Sequence, residues 1–228
     1  MSELTSCYIS NLYDLDQTIA KELFTGKTYP WEVLDDIEDF ILKLGPTLDP
    51  TIFTEISEHV WVAKSVTSAK TATINGPCII DENTEVRPGA FIRGKAIVGK
   101  DCVVGNSTEL KNVVLFNHVQ VPHYNYVGDS VLGFFSHMGA GSITSNVKSD
   151  KTHVHVKSAS EGEIDTGRKK FGAMLGDHVE VGCNSVLNPG TVIGRNTNIY
   201  PVSCVRGVVP ADSIWKNEQP HEIISKKM

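Results

Sequence analysis

His123 is the residue of this sequence best suited to moving a proton. It stands in VPHYNYVGDS, where Pro122 occupies a position due for an aliphatic residue, so the local register breaks and His123 is expected to face solvent. An imidazole titrates near neutrality and can relieve an attacking nucleophile of its proton. The alternative is a hydrogen-bonded structural histidine. A second chemistry sits in the polar stretch VKSDKTHVHVKSASEGEIDTGRKKF. Its basic residues Lys148, Lys151, Lys157, Arg168, Lys169 and Lys170 suit a phosphorylated ligand, or else form a solvated charge run. The five cysteines (Cys7, Cys78, Cys102, Cys183 and Cys204) are odd in number and show no CxxC spacing, which argues against a disulfide framework or a zinc knuckle. They read as small buried fillers.

The elements that position these residues follow from a period of six. Ile74, Ile80, Val86, Ile92, Val98, Val104, Leu110 and Phe116 are evenly spaced, and Val62 fits the same phase upstream. Four residues after each of the first six comes a small side chain: Cys78, Thr84, Ala90, Ala96, Cys102 and Thr108. The pattern resumes with Leu175, Val181, Leu187, Ile193, Ile199 and Val205. Neither a strand (period 2) nor a helix (period 3.6) explains it. A triangular prism of short strands does, with three sides per coil, coils about 4.8 Å apart, and large and small residues both pointing at the axis. Gly76, Asn83, Gly89, Gly94, Gly99, Gly105, Gly182 and Gly194 fall at the turns, where positive φ is expected.

Residues 1–55 lack this period. Pro30 opens a helix with Leu34, Ile37, Ile41 and Leu44 on one face, Gly45-Pro46 closes it, and Leu12 to Phe24 reads as helical too. The expected organisation is a helical arm (1–55) packed on the prism or on a neighbouring subunit, the prism (56–215), and a tail (216–228). A loop over 147–171 interrupts the prism and projects outward. The net charge of −6 argues against a general nucleic-acid binder, no apolar run is long enough to span a membrane, and the N-terminus lacks an export pattern, so a cytoplasmic protein is expected.

The repeat resembles that of the hexapeptide-repeat, left-handed β-helix acyltransferases, over roughly 56–215. The handedness comes from the resemblance, since period alone does not settle it. The motifs are more specific. His123, Tyr126, Gly128-Asp129, Gly139-Ala140-Gly141 and Asn146, with Arg87-Pro88-Gly89-Ala90 and Glu109-Leu110-Lys111 upstream, resemble the acetyltransferase half of the bifunctional enzymes that acetylate glucosamine-1-phosphate and then make UDP-N-acetylglucosamine. The resemblance implies an all-β, left-handed parallel β-helix that forms a homotrimer and takes acetyl-CoA as co-substrate. It makes His123 the general base, Glu109 a carboxylate near the substrate amine, and Asn146 a contact near the reacting nitrogen. It makes Arg87, Lys111 and Tyr126 the grip on the sugar phosphate, for which a guanidinium and a phenol are good partners. The family's lysine six residues past the asparagine is replaced by Thr152, leaving Lys151 or Lys148 to substitute. A family asparagine falls on His137, which leaves galactosamine-1-phosphate open beside glucosamine-1-phosphate. The later repeats resemble the acetyl-CoA coils, with Ala140, Cys183 and Pro201 at the cofactor, a backbone N–H near Ala140 for an oxyanion, and Lys216, Lys226 and Lys227 for the nucleotide phosphates.

Two other readings compete. His118 and His123 are spaced as in the γ-class carbonic anhydrases, but the position due for a third histidine holds Glu82, and Arg93-Gly94-Lys95 departs from that family's motif, so no metal site is expected. The prism could also be a non-catalytic module that binds a sugar nucleotide or CoA. Tyr29-Pro30-Trp31-Glu32-Val33-Leu34 resembles the joint after a nucleotidyltransferase domain. No such domain is visible in the sequence, so the expectation is either that the chain acts alone or that a separate sugar-phosphate nucleotidyltransferase is its partner.

Overall fold

A computed structural model describes residues 4–217. The six-residue units form short parallel strands stacked into the coils of a left-handed β-helix. On the first face, Val62, Ile80, Val98, Leu115, Leu132, Leu175, Ile193 and Val209 stack at the axis, linked rung to rung by backbone pairing. An eight-stranded sheet from Thr67–Ser68 to Ile214–Trp215 makes the second face, and rungs from Thr73–Ile74 to Cys204–Val205 make the third. The small residues Cys78, Thr84, Ala90, Ala96, Cys102 and Thr108 are all buried, and the two threonines bond to neighbouring coils.

One residue of the period is misplaced by sequence spacing alone. Leu115, not Phe116, pairs with Val98 at the axis. Phe116 turns outward, its ring centroid 5.1 Å from Tyr13 and 5.7 Å from Phe24 of the arm. The register therefore shortens between Leu110 and Leu115, one corner earlier than the sequence suggested, and again between Val127 and Leu132. Val121 keeps the axis position that Pro122 was expected to disrupt. Both shortened corners turn on a buried polar residue in the left-handed region, Asn112 (φ 56°) and Asp129 (φ 49°).

The turn glycines also play a different part from the expected one. Of the eight turn residues named above, only Asn83, Gly89 and Gly94 have positive φ. Asp101, His118, Phe135, His178 and Asn196 take that conformation at the corner between the first and second faces. Gly105 is required by closeness: a Cβ there would lie 1.7 Å from the Pro122 carbonyl oxygen on the next coil. Gly105→Ala must push two backbones apart, so we expect a loss of about 2–3 kcal/mol, read as a lower urea midpoint. An unchanged midpoint would refute this account of coil stacking.

The first face is apolar on its outside as well. Trp61, Ile79, Ile97, Val114, Val131, Met174 and Val192 follow one another in register and are buried. At about 1.5–3 kcal/mol per buried side chain, leaving this column in water would cost the prism much of its stability, and residues of the arm cover it. The Tyr13 hydroxyl donates to the Val131 carbonyl (3.4 Å), and Gly45 lies flat against the Trp61 indole. The arm's helix is Ile37–Leu44, preceded by a 3-10 turn at Pro30–Val33. Leu12 to Phe24 is not one helix. It is broken into the 3-10 turns Leu15–Gln17 and Lys21–Phe24, because Asp14 and Thr18 accept from the backbone N–H groups two residues on and divert them from a helical ladder.

The insertion does not project freely. It forms the antiparallel hairpin His155–Ser158 and Gly162–Asp165 and buries Val154 and Val156. Glu161 at its tip accepts from Thr5 and Ser6 of the arm, and Arg168 at its base grips Asp35 with both terminal nitrogens. Cys7, Cys78 and Cys102 are buried, and burial pushes their thiols up to about 12. Cys183 and Cys204 are exposed, contrary to the filler reading, because they occupy a corner and an outward rung position. No described helix is long and apolar enough to cross a membrane.

Candidate active site

The corner between the second and third faces carries four of the candidate residues in one line. Tyr124 N–H donates to the Asn106 carbonyl, Gly141 N–H to His123, Asn184 N–H to Ala140, and Val202 N–H to Cys183, at 2.8–3.0 Å. Those bonds place His123, Ala140, Cys183 and Pro201 on successive coils. Ala140 and Cys183 are neighbours although the insertion separates them in sequence. His123 is exposed, and among the described residues its ring has no hydrogen-bond partner. Its backbone is held by Asn125, which is 2% exposed: the side-chain oxygen accepts from His123 N–H (3.1 Å), and the amide nitrogen donates to the Gly139 and Ser142 carbonyls (2.9 and 3.0 Å). Asn125 thereby ties the histidine turn to the Ala140 turn. Among the described residues, the backbone N–H groups of Ala140 and Cys183 have no acceptor.

The outer surface of the third face leads from this corner to a polar cluster at the next. Glu109 and Tyr126 are in register on adjacent coils, and Arg93 holds Glu109 at 2.7 Å. Asp129, 2% exposed, is the hub of the far corner. It accepts from Lys111 Nζ (3.0 and 3.1 Å), Asn112 Nδ2 (2.9 Å) and Asn146 Nδ2 (2.5 Å), and Asn146 also donates to the Tyr126 hydroxyl (3.1 Å). Lys111, Tyr126 and Asn146 thus form one network, with Glu109 beside it. Burial, then the Asp129 and Glu109 carboxylates, push the Tyr126 phenol above its ordinary value. The unfolded chain then loses this proton first, so the contribution of Tyr126 to stability falls as pH rises past about 10. Tyr126→Phe is expected to flatten that alkaline loss in urea midpoints taken on either side of this pH. Identical pH profiles for the two proteins would refute it.

Other candidates lie apart. The Arg87 guanidinium bonds Glu85 (3.0 Å) on the second face, two coils before His123. His137 bonds Glu180 (2.8 Å) on the second face and lines a shallow groove with Cys183 and Pro201, nearer the cofactor candidates than the Lys111 network. Lys151 is exposed in the insertion, and no hydrogen bond or ion pair joins it to the network. Lys148 is held in its own turn by Thr152 (2.6 Å). Counting along the chain fails here because the hairpin leaves the coil after Asn146 and returns beside it, with Phe171 N–H donating to the Asn146 carbonyl. The cations at the returning end are Lys169 and Lys170. Asp129 and Asn125 sat inside the recognised motif with no role, and their signal was a short polar residue at a tight corner. Lys216 is described, whereas Lys226 and Lys227 lie outside the described residues. Among the described residues no group of three His, Cys, Asp or Glu could hold a metal ion.

Residues 74–164 match the family model of the GMPPB C-terminal domain. The bifunctional protein GlmU of Methanococcus aeolicus is 31% identical over 209 residues, covering 83% of this chain and 46% of its own length. The GlmU of Methanococcus maripaludis strain C5 is 32% identical over 202 residues, covering 87% and 48%. The bifunctional sugar-1-phosphate nucleotidylyltransferase/acetyltransferase of Sulfurisphaera tokodaii is 31% identical over 161 residues, covering 63% and 40%. The chain spans about half the length of the curated relatives it matches. Among solved structures, a hexapeptide transferase family protein from Anaplasma phagocytophilum aligns with 16% identity and a TM-score of 0.39, over 74% of this chain and 81% of that one.

Proposed function

We propose that this chain is a hexapeptide-repeat acyltransferase and that it transfers acetyl from acetyl-CoA to the amine of a hexosamine-1-phosphate, glucosamine- or galactosamine-1-phosphate. The observation that carries this reading is the single corner on which His123, Ala140, Cys183 and Pro201 stack. A pantetheine arm laid along Pro201, Cys183 and Ala140 brings its thioester to the imidazole. The amine attacks the thioester carbonyl, His123 takes the proton, and the free N–H of Ala140 meets the oxyanion. The intermediate collapses with loss of the CoA thiolate, which takes the proton from His123, and no acyl-enzyme forms.

Glu109 and Asn146 hold the sugar near its nitrogen. Lys111 and Tyr126 hold its phosphate, and His137 stands beside the cofactor groove at the acyl end of the ligand. Arg87 and Lys111 stand at opposite edges of the third face, so an anion gripped by both draws on two chains. That requirement fits a homotrimer with sites between prisms. Such an enzyme works in the cytoplasm and feeds a separate sugar-phosphate nucleotidyltransferase. Thiol release from acetyl-CoA, followed with a thiol reagent across a panel of amino-sugar-1-phosphates, tests the reading. Release with a hexosamine-1-phosphate supports it. Binding of the ligands with no release from any of them would overturn it in favour of a non-catalytic binding module.

A further inference from the structure

Cys183 is exposed, whereas burial pushes the thiols of Cys7, Cys78 and Cys102 up to about 12. It lines the shallow groove of about 290 Å³ that also holds His137 and Glu180. Its Sγ lies over Gly139 of the preceding coil, where an added Cβ would come within 3.0 Å of the sulfur. Any side chain at position 139 would crowd the thiol, and the bare glycine keeps it clear. His137 stands two residues before Gly139, on the same side of the chain by strand alternation. Its Nδ1 meets the Glu180 carboxylate at 2.8 Å, which makes that nitrogen the donor and leaves Nε2 as the base. His123 is two coils away from Cys183, about 10 Å.

A ligand is also called for on separate grounds. Among the described residues, the backbone N–H groups of Cys183 and Ala140 have no acceptor. An exposed thiol, an oriented imidazole and two unpaired donors meet along one groove, which is the setting of a reactive cysteine.

We propose that Cys183 forms a mixed disulfide with CoA, taken from CoA disulfide, and that this bond closes the groove to acetyl-CoA. The proposal rests on the reading that a pantetheine arm lies along Pro201, Cys183 and Ala140, because that path carries its sulfur past Cys183. His137 takes the thiol proton, and the thiolate attacks one sulfur of the CoA disulfide. The new bond to Sγ forms as the S–S bond breaks, and the departing CoA thiolate leaves with the proton. Cys183 is oxidised and the departing half is reduced, so the disulfide is the only oxidant required.

Intact mass and peptide mapping after treatment with CoA disulfide test the proposal. Cys183 is expected to gain one CoA, which dithiothreitol removes. Cys204 is exposed too, but it lies on the outside of the third face with the Asn188 amide 3.2 Å from its sulfur, and it should react at least about tenfold more slowly. Acetyl-CoA should protect Cys183, and glutathione disulfide should label it about tenfold more slowly than CoA disulfide, since the groove does not position it. The labelled protein should fail to bind acetyl-CoA in calorimetry until it is reduced. The titratable groups lining the groove are His137, Glu180 and Tyr200, with the Lys216 ammonium 5.8 Å from the Tyr200 ring. His137→Gln should slow labelling about tenfold at neutral pH and match wild type at about pH 9.5, where a thiol ionises without a base. A histidine that only shapes the groove would slow both. Equal labelling of Cys183 and Cys204, equal rates with the two disulfides, no protection by acetyl-CoA, or acetyl-CoA binding by the labelled protein would overturn the proposal. An unchanged neutral rate in His137→Gln would overturn the role given to the imidazole. Labelling in a protein that acetylates no amino-sugar phosphate would support the disulfide site and count against the transferase reading, and acetyl transfer without labelling would do the reverse.

Discussion

His123→Ala is expected to lower kcat by about 10²–10⁴-fold and to leave the thermal midpoint where it is. The two halves of this expectation have separate causes. The ring is exposed and bonds no described residue, so its removal leaves no buried group unpaired and opens no cavity. The turn is shaped by Asn125 and the backbone, which the substitution does not touch. What is lost, on the proposed reading, is the base at the end of the Ala140–Cys183–Pro201 line. The binding of acetyl-CoA should survive, because the stacked turns that would receive it are intact. Steady-state kinetics beside a melting curve decides the matter: a variant of near-full rate removes His123 from the mechanism, and a large fall in midpoint shows that the residue is structural.

Asp129→Ala should have the largest effect on stability, about 3 kcal/mol, or roughly 6–12 °C in Tm for a chain of this size. The carboxylate is 2% exposed and receives three side chains. Its removal leaves the Lys111 ammonium, 26% exposed, and the amide groups of Asn112 and Asn146 without their acceptor. Part of the loss comes from the stranded ammonium, so adding Lys111→Met to Asp129→Ala should recover some of it, and a double-mutant cycle isolates that share. Affinity for the sugar phosphate should also fall, since Asn146 and the Tyr126 hydroxyl it bonds would lose their anchor. An unchanged midpoint in Asp129→Ala would mean that the network does not organise this corner.

The prism was readable because its inward side chains meet the same steric demand in every unit. The outward pattern was readable in principle: in the units of the first face, the residue before each axis position is apolar, from Ile79 through Ile97, Val114, Val131 and Met174 to Val192. A search for one repeating residue per unit passes over it, and with it the reason for an arm. Spacing alone puts Phe116 at the axis, because Leu115 and Phe116 are adjacent and both apolar, and only backbone pairing says which one faces inward.

The sequence by itself determined the repeating unit, the direction of its large and small side chains, and the short motifs around His123 and Asn146. These depend on neighbours a few residues away and on a demand that recurs at every coil. Tertiary structure alone decided which residues share an edge. Closing each uninterrupted coil in 16 to 18 residues sets which turn stacks on which, and one residue more or less rotates every later side chain relative to the corners. It also decided that the insertion folds back onto the arm, which carries Lys151 away from Asn146 and brings Lys169 and Lys170 back to it. Distance along the chain loses its meaning once a hairpin leaves a coil and rejoins it at the same place.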